Sequence, residues 1–250
     1  MSSATPTIER PRAPIAWRGA RVTAVHEHNE RARSLWLEVP DWPGHRPGQH
    51  LDLRLTAEDG YQAQRSYSIA SAPEDGGLEI CVERLDDGEV SPYLVDVARP
   101  GDELEVRGPV GGFFVWTVEQ PGPLALVAGG SGVVPLVAML RHRHAAGGDG
   151  EAALLLSARS DEDVLFRDEL SQLGADVHLT LTRTQPQGWT GYARRVDRAL
   201  LDEVLPAPPA SPRIFVCGAT DFVEAVATAL VTAGHDPDNV RTERFGATGG

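Results

Sequence analysis

Between residues 17 and 116 the apolar positions come in short runs broken by turn chemistry. The runs are ARVTAVHEHN (20–29), RSLWLEVP (33–40), QHLDLRL (49–55), QRSYSIAS (64–71), GLEICVERL (77–85) and DELEVRG (102–108). DWPGHRPG, AEDG, APEDGG and RPGD are among the breaks between them. Runs of that length and composition read as β-strands. Six of them at this spacing predict an antiparallel six-stranded β-barrel, which closes on itself and so removes exposed strand edges.

The rhythm changes after EQPGP (119–123), which reads as a linker. LALVA (124–128) is a strand, and Val133, Leu136, Val137 and Leu140 then fall at helical spacing. AALLLS (152–157) is a second strand, followed by a helix opening near Asp161. VHLTLT (177–182) is a third strand and RIFVC (213–217) a fourth. Thr220 is placed to cap the helix DFVEAVATALVTAG (221–234). Alternating β and α units predict an α/β doubly wound parallel sheet with helices on both faces. The expected fold is therefore a barrel followed by that sheet, behind a flexible tail of prolines and polar residues at 1–15.

Composition narrows the function classes. The chain has 250 residues, 41% hydrophobic and 24% charged, enough for two domains that each bury a core. A net charge of −13 argues against a general nucleic-acid or membrane-surface binder, because phosphate surfaces need clustered Lys and Arg. RHRH (141–144) and RR (194–195) are the basic clusters that would dock an acidic partner, if they are not simply solvated faces. The opening MSSATPTIERPRAPIAW lacks the apolar stretch of a signal peptide, and no segment approaches the ~18 apolar residues of a membrane span. The expectation is a cytoplasmic monomer. With Cys81 and Cys217 as the only cysteines, there is neither a disulfide framework nor a four-cysteine metal site. The His26/His28 and His142/His144 pairs lack further ligands at metal-binding spacing.

The chemistry gathers at a few short segments. In LALVAGGSGVVPLVAML (124–140), a strand runs through Gly129, Gly130 and Gly132 into a helix, a turn that lets backbone approach a ligand. The helix start offers free N–H groups to a pyrophosphate, and Pro135 is tolerated there because a first-turn N–H has no intrahelical partner. Pro135 stands where the common G-x-G-x-x-G fingerprint has its third glycine, so the turn alone reads equally as nucleotide site or as structure. In QRSYSIAS, Arg65 offers a planar fork, Tyr67 an aromatic plane and Ser68 a small hydroxyl, although the segment alone reads better as a solvated Arg and a barrel-core Tyr. Alternation sets Arg65 and Tyr67 on one face and Ser68 on the other, so one ligand touches all three only around the strand end or across a bend. Gly88–Ser91 could present backbone N–H groups and a hydroxyl to phosphate.

Together these segments resemble the ferredoxin–NADP reductase family over residues 17–246. The resemblance rests on R-S-Y-S (65–68), C-V-E-R (81–84), G-E-V-S (88–91), G-P-V-G (108–111), G-G-S-G-V-V-P (129–135), C-G (217–218) and E-R-F (243–245), all in order. It implies an FAD-binding barrel at 16–118, an NAD(P)-binding α/β domain at 119–250, and no iron–sulfur domain. FAD would be held by Arg65 at its pyrophosphate, Ser66, Tyr67 against the ring, Ser68 near N5, Cys81, Val82, Glu83, Val90, Ser91 and, from the second domain, Ser131. Gly130 and Gly132 would seat the nicotinamide nucleotide, with Asp221 at the start of the last helix nearby. Ser68, Cys217, Glu243 and Phe245 would form the reacting site, with Cys217, Gly218 and Glu243 bordering the nicotinamide. The implied chemistry is hydride transfer to flavin, a task of positioning.

The resemblance further implies electron transfer from NAD(P)H through FAD to a separate acceptor, whether a ferredoxin, a haem protein or an oxygenase component. A free-flavin reductase and a non-catalytic flavin-binding sensor or electron-transfer subunit are the alternatives. Ser157 and Arg159 end the second sheet strand without an early acid, and Thr182–Arg183 matches a hydroxyl–Arg pair that binds the 2′-phosphate in NADP-using relatives. These residues favour NADPH over NADH. Phe245 departs from the Tyr or Trp that ends many relatives, and Gly246–Gly250 follow it. It is expected to hold the nicotinamide's stacking place until displaced. Phe245→Ser should therefore change nucleotide affinity and hydride-transfer rate, read by stopped-flow absorbance.

Overall fold

The computed structural model describes residues 15–245; residues 1–14 of the predicted tail and Gly246–Gly250 lie outside the described residues. The six predicted runs form β1 (Trp17–Asn29), β2 (Ala32–Glu38), β3 (His50–Thr56), β4 (Gln62–Ser68), β5 (Leu78–Glu83) and β6 (Glu103–Val110). They pair antiparallel in the order β4-β3-β6-β1-β2-β5. The sheet closes where Ile69, one residue past β4, bridges Ile80 of β5. Alternation sends Leu35, Leu37, Leu51, Leu53, Leu104 and Val106 into the barrel.

The second sheet holds β7 (Leu124–Gly129), β8 (Ala152–Ala158), β9 (Asp176–Leu181), β10 (Arg213–Ala219) and β11 (Val240–Phe245). All are parallel, in the order β11-β10-β7-β8-β9. The sequence pattern marks four of these strands. The fifth, VRTERF, is an edge strand with no fully buried position, so its hydrophobic signal is weak. Helix α1 (Val134–Ala145) packs on one face, while α3 (Arg198–Val204) and α4 (Thr220–Thr232) pack on the other. The one-turn helix α2 (Arg167–Leu170) lies between β8 and β9.

Helix α1 is apolar on nearly every side, because it is enclosed between the sheet and the barrel. One continuous core joins its Leu136, Met139 and Leu140 to Phe215 and Leu126 of the sheet and to Ala70 and Cys81 of the barrel. Its polar end is tied across the same seam. Arg141 grips both oxygens of Glu169 at 2.6 and 2.8 Å, donates to the Ala70 carbonyl at 3.1 Å, and pairs with the barrel carboxylate Glu79. His142 Nδ1 lies 2.8 Å from Glu74 Oε1. Beside them Asn29 donates to the Glu162 carbonyl, and Arg241 donates to the carbonyls of Phe113 and Val115.

Three expectations are corrected. RHRH is not a docking face: Arg141 and His142 tie the domains together, and the buried Arg143 donates to the carbonyls of Gly174 and Gly150. Charges at the end of an enclosed helix are spent on the groups enclosing it. No helix opens near Asp161. Phe166 adopts φ 57°, a left-handed backbone that a right-handed helix cannot run through, and the one-turn α2 starts only at Arg167. Finally, Ala219 is the N-cap of α4, with Thr220 as its first helical residue and no side-chain cap bond.

Glu79 is 4% exposed at its side chain and Arg141 12% exposed. Removing the cation strands a buried carboxylate. Arg141→Ala should therefore lower unfolding free energy by about 3 kcal/mol in a denaturant titration, with Arg141→Lys recovering part of it.

Candidate active site

A parallel sheet gathers its strand C-termini on one edge, and a ligand crevice opens where the strand order reverses. Here the chain builds β7, β8 and β9 in one direction, then returns to place β10 on the other side of β7. At that reversal the turn after β7 meets the end of β10. A Cβ on Gly132 would lie 2.2 Å from the Cys217 carbonyl oxygen, so only glycine lets the turn pack there. The glycine at 132 is thus required by β10. Gly130, at φ 54° with open space around its would-be Cβ, makes the bend itself.

The same edge carries the other residues expected from the second domain. Ser157 pairs with Gly129 in register, and Cys217 pairs with both Ala128 and Glu243. The partly buried Ser131 lies in the turn, Gly218 is buried beside Cys217, and Asp221 is exposed in the first turn of α4. Past β8 and β9, the Thr182 N–H bonds the Ala158 carbonyl and the Arg183 N–H the Arg159 carbonyl, each at 2.9 Å. Arg159 and Arg183 are thereby neighbours on the surface, and among the described residues neither guanidinium has an ion-pair partner.

The barrel meets this edge through β4. Arg65, Tyr67 and Ser68 pair in register with Leu53, Leu51 and His50 of β3. Tyr67 packs against the barrel core. Ser68 is the last residue of β4, so a ligand lying along Arg65 and Tyr67 would reach it around the strand end. Ser66 points to the other face, where its hydroxyl donates to Asp52 at 2.6 Å. Cys81 and Val82 are buried and Glu83 is exposed at the end of β5. Val90 is buried, and the Ser91 hydroxyl accepts the Leu85 N–H at 3.0 Å, closing the turn before it. Arg65 donates to Glu89 at 2.9 Å.

Where the two edges meet, Glu243 of the sheet lies 3.8 Å from Nδ1 of His50 in the barrel. Burial pushes the Glu243 carboxyl up to about 7 and pushes His50 below its ordinary value, with Asp52 partly opposing the latter. Both shifts favour neutral groups, so near neutral pH this contact is not a standing ion pair. Cys217 is fully buried, and burial, with Glu243 second, drives its thiol well above the ordinary range. It is suited to contact and not to nucleophilic attack. Phe245 ends β11 beside Ala219 and packs half-buried against the shared core. His50 is the residue that reading the sequence missed. The signal for it is that PGQH opens the strand paired with R-S-Y-S.

The chain matches two family models, an oxidoreductase FAD-binding domain over residues 21–115 and an oxidoreductase NAD-binding domain over residues 126–228. A glycine betaine monooxygenase reductase subunit of Chromohalobacter salexigens is 34% identical over 212 residues, covering 81% of this chain and 56% of the relative. The ferredoxin reductase component of a 3-ketosteroid-9-alpha-monooxygenase of Mycobacterium tuberculosis is 32% identical over 236 residues, covering 90% and 64%. The chain therefore spans between half and two thirds of the length of these curated relatives. The flavohem-like FAD/NAD-binding domain of nitric oxide dioxygenase from Vibrio cholerae superposes with a TM-score of 0.81 at 24% identity, covering 92% of this chain and 98% of that one, a likeness of fold. The chain belongs to the ferredoxin–NADP reductase family of oxidoreductases, whose two domains bind FAD and a pyridine nucleotide.

The residues present fit those groups. Ser68 Oγ and Glu243 Oε2 are buried polar atoms with no hydrogen-bond partner in the protein, at the seam where a polar ring edge would meet them. Among the described residues no cluster of His, Cys, Asp and Glu could hold a metal ion, and no helix is long and apolar enough to cross a membrane.

Because burial raises the Glu243 pKa, the folded chain holds this proton more tightly than the unfolded chain. The stabilising contribution is complete below about 4.5 and is lost as pH rises through about 7. Glu243→Gln should therefore match wild type near pH 4.5 and exceed it at pH 8, by on the order of 2–3 kcal/mol. Chemical denaturation across that pH range measures it.

Proposed function

We propose that the chain is an FAD-dependent reductase that takes electrons from NADPH, and less readily from NADH, and passes them to a separate redox protein. The observation that carries this reading is the meeting of two edges. The C-terminal edge of the parallel sheet, with Cys217, Gly218 and Glu243, faces the end of β4, with Tyr67 and Ser68, across a seam fixed by a shared core. When bound there, the flavin and nicotinamide supply hydride transfer and the means to release electrons singly.

The chain's own groups do the positioning. Tyr67 would support the flavin ring, and Ser68 would offer its unpartnered hydroxyl to the ring's polar edge. Gly130, with Ser131, would admit the nucleotide's pyrophosphate close to backbone, on a turn that Gly132 lets pack against β10. Cys217 and Gly218 would border the nicotinamide as small neutral contacts, and Glu243 with His50 would keep a proton-holding pair at the seam. Phe245 would stand where the nicotinamide must stack, so the incoming ring displaces it. FAD would also contact Cys81–Glu83, Val90 and Ser91.

The preference for NADPH rests on Arg159 and Arg183, adjacent on the surface at the ends of β8 and β9 and beside Ser157 and Thr182. An unpaired guanidinium suits the doubly charged 2′-phosphate, whereas a bare ribose hydroxyl calls for an acid. The acceptor is read as an oxygenase component or another small redox protein, which agrees with the oxygenase reductase names carried by both curated relatives.

Steady-state rates with NADPH and NADH, using a dye acceptor, test this reading. NADPH should be preferred. Replacing both Arg159 and Arg183 by Ala should raise KM for NADPH about tenfold and leave NADH within about twofold. A tenfold preference of the wild-type protein for NADH would reverse the assignment.

A further inference from the structure

The G-E-V-S turn carries a charge that the proposed cofactor site does not explain. Arg65, whose fork is read above as the partner of the FAD pyrophosphate, already has both terminal nitrogens engaged. Nη1 donates to the Gln64 carbonyl at 2.7 Å and Nη2 to Glu89 Oε2 at 2.9 Å. The other Glu89 oxygen accepts the Tyr61 hydroxyl, so the carboxylate is held from two sides. These two hydrogen bonds also hold the Glu89 carboxyl below its ordinary range, and it stays ionised at neutral pH. The local backbone holds it in place as well. The Gly88 N–H bonds the Leu85 carbonyl, and the Ser91 hydroxyl takes the Leu85 N–H, so the turn bearing Glu89 is closed on itself.

A bidentate grip on phosphate needs two parallel N–H donors from one face of the guanidinium. Keeping Glu89 while adding a pyrophosphate would gather several negative charges around a single cation, and the repulsion is strongest where the charges are closest. Glu89 is half-exposed, with 46% of its side chain accessible, so it can leave for water, whereas Gln64 is fixed in a strand.

We propose that Glu89 is a built-in competitor for Arg65, a resident carboxylate that the FAD pyrophosphate must displace, and that it sets how tightly this chain holds its flavin. The proposal rests on the flavin reading of the site and adds the residue that tunes affinity there. It makes FAD an exchangeable group, with a dissociation constant raised by Glu89 and sensitive to ionic strength.

The test is equilibrium titration of flavin-stripped protein with FAD, followed by quenching of flavin fluorescence. Glu89→Gln keeps the size and a hydrogen-bonding group while removing the charge. It should lower Kd for FAD about fivefold, the scale of an exposed ion pair, and the gain should shrink as salt is raised. Tyr61→Phe removes the hydroxyl contact and keeps the charge, so it should stay within about twofold of wild type. Arg65→Gln should weaken FAD binding and abolish the benefit of Glu89→Gln in the double variant. An unchanged or higher Kd for Glu89→Gln would overturn the proposal while leaving the flavin site standing. Wild-type protein that quenches neither FAD nor FMN would overturn the flavin reading itself.

Discussion

The enclosure of α1 between barrel and sheet is the constraint on which the rest of the molecule depends. A helix exposing one polar face would leave two domains hinged on a linker. This one buries Leu136, Met139 and Leu140 in a core that also contains Ala70 and Cys81 of the barrel. Arg141 then anchors its polar end to Glu79 and Glu169. Apolar burial sets the distance between the domains, and Arg141 bridges them, its fork on Glu169 within the sheet domain and its Nη1 on Glu79 and the Ala70 carbonyl of the barrel.

That fixed seam brings two ordinary features into one proposed site. Strand ends of a parallel sheet present backbone and small residues, and the end of β4 presents an aromatic ring and a hydroxyl. Neither makes a redox centre alone. Held together, they bring Glu243 within 3.8 Å of His50 and leave Ser68 Oγ and Glu243 Oε2 buried without protein partners. Such atoms are costly unless something else satisfies them, and the proposed cofactors would do so. The raised Glu243 pKa and the lowered His50 pKa have one cause, removal from water at that junction.

What the sequence made legible was local. The six barrel strands, the glycine turn with its following helix, and the R-S-Y-S strand each depend on neighbours in the chain, and each forms where its pattern predicts. What it hid depends on distant contacts. The charges of RHRH look solvated until the barrel's Glu74 and Glu79 arrive beside them. VLF (164–166) looks like part of a helix until the left-handed backbone of Phe166 interrupts it. VRTERF carries little strand signal because an edge strand needs little hydrophobicity. His50 carries no motif of its own, and Glu89 lies within G-E-V-S without a role read for it there. His50 matters through its register opposite Ser68 and its approach to Glu243, and Glu89 through its hold on Arg65.

The seam itself is tested most directly by loading the purified protein with FAD and adding one equivalent of NADPH without oxygen. If the two edges bring both rings together, the yellow absorption bleaches on that single addition, and readmitted oxygen or a redox acceptor restores it. Protein that holds FAD yet stays yellow with both NADPH and NADH would contradict the shared site at the seam.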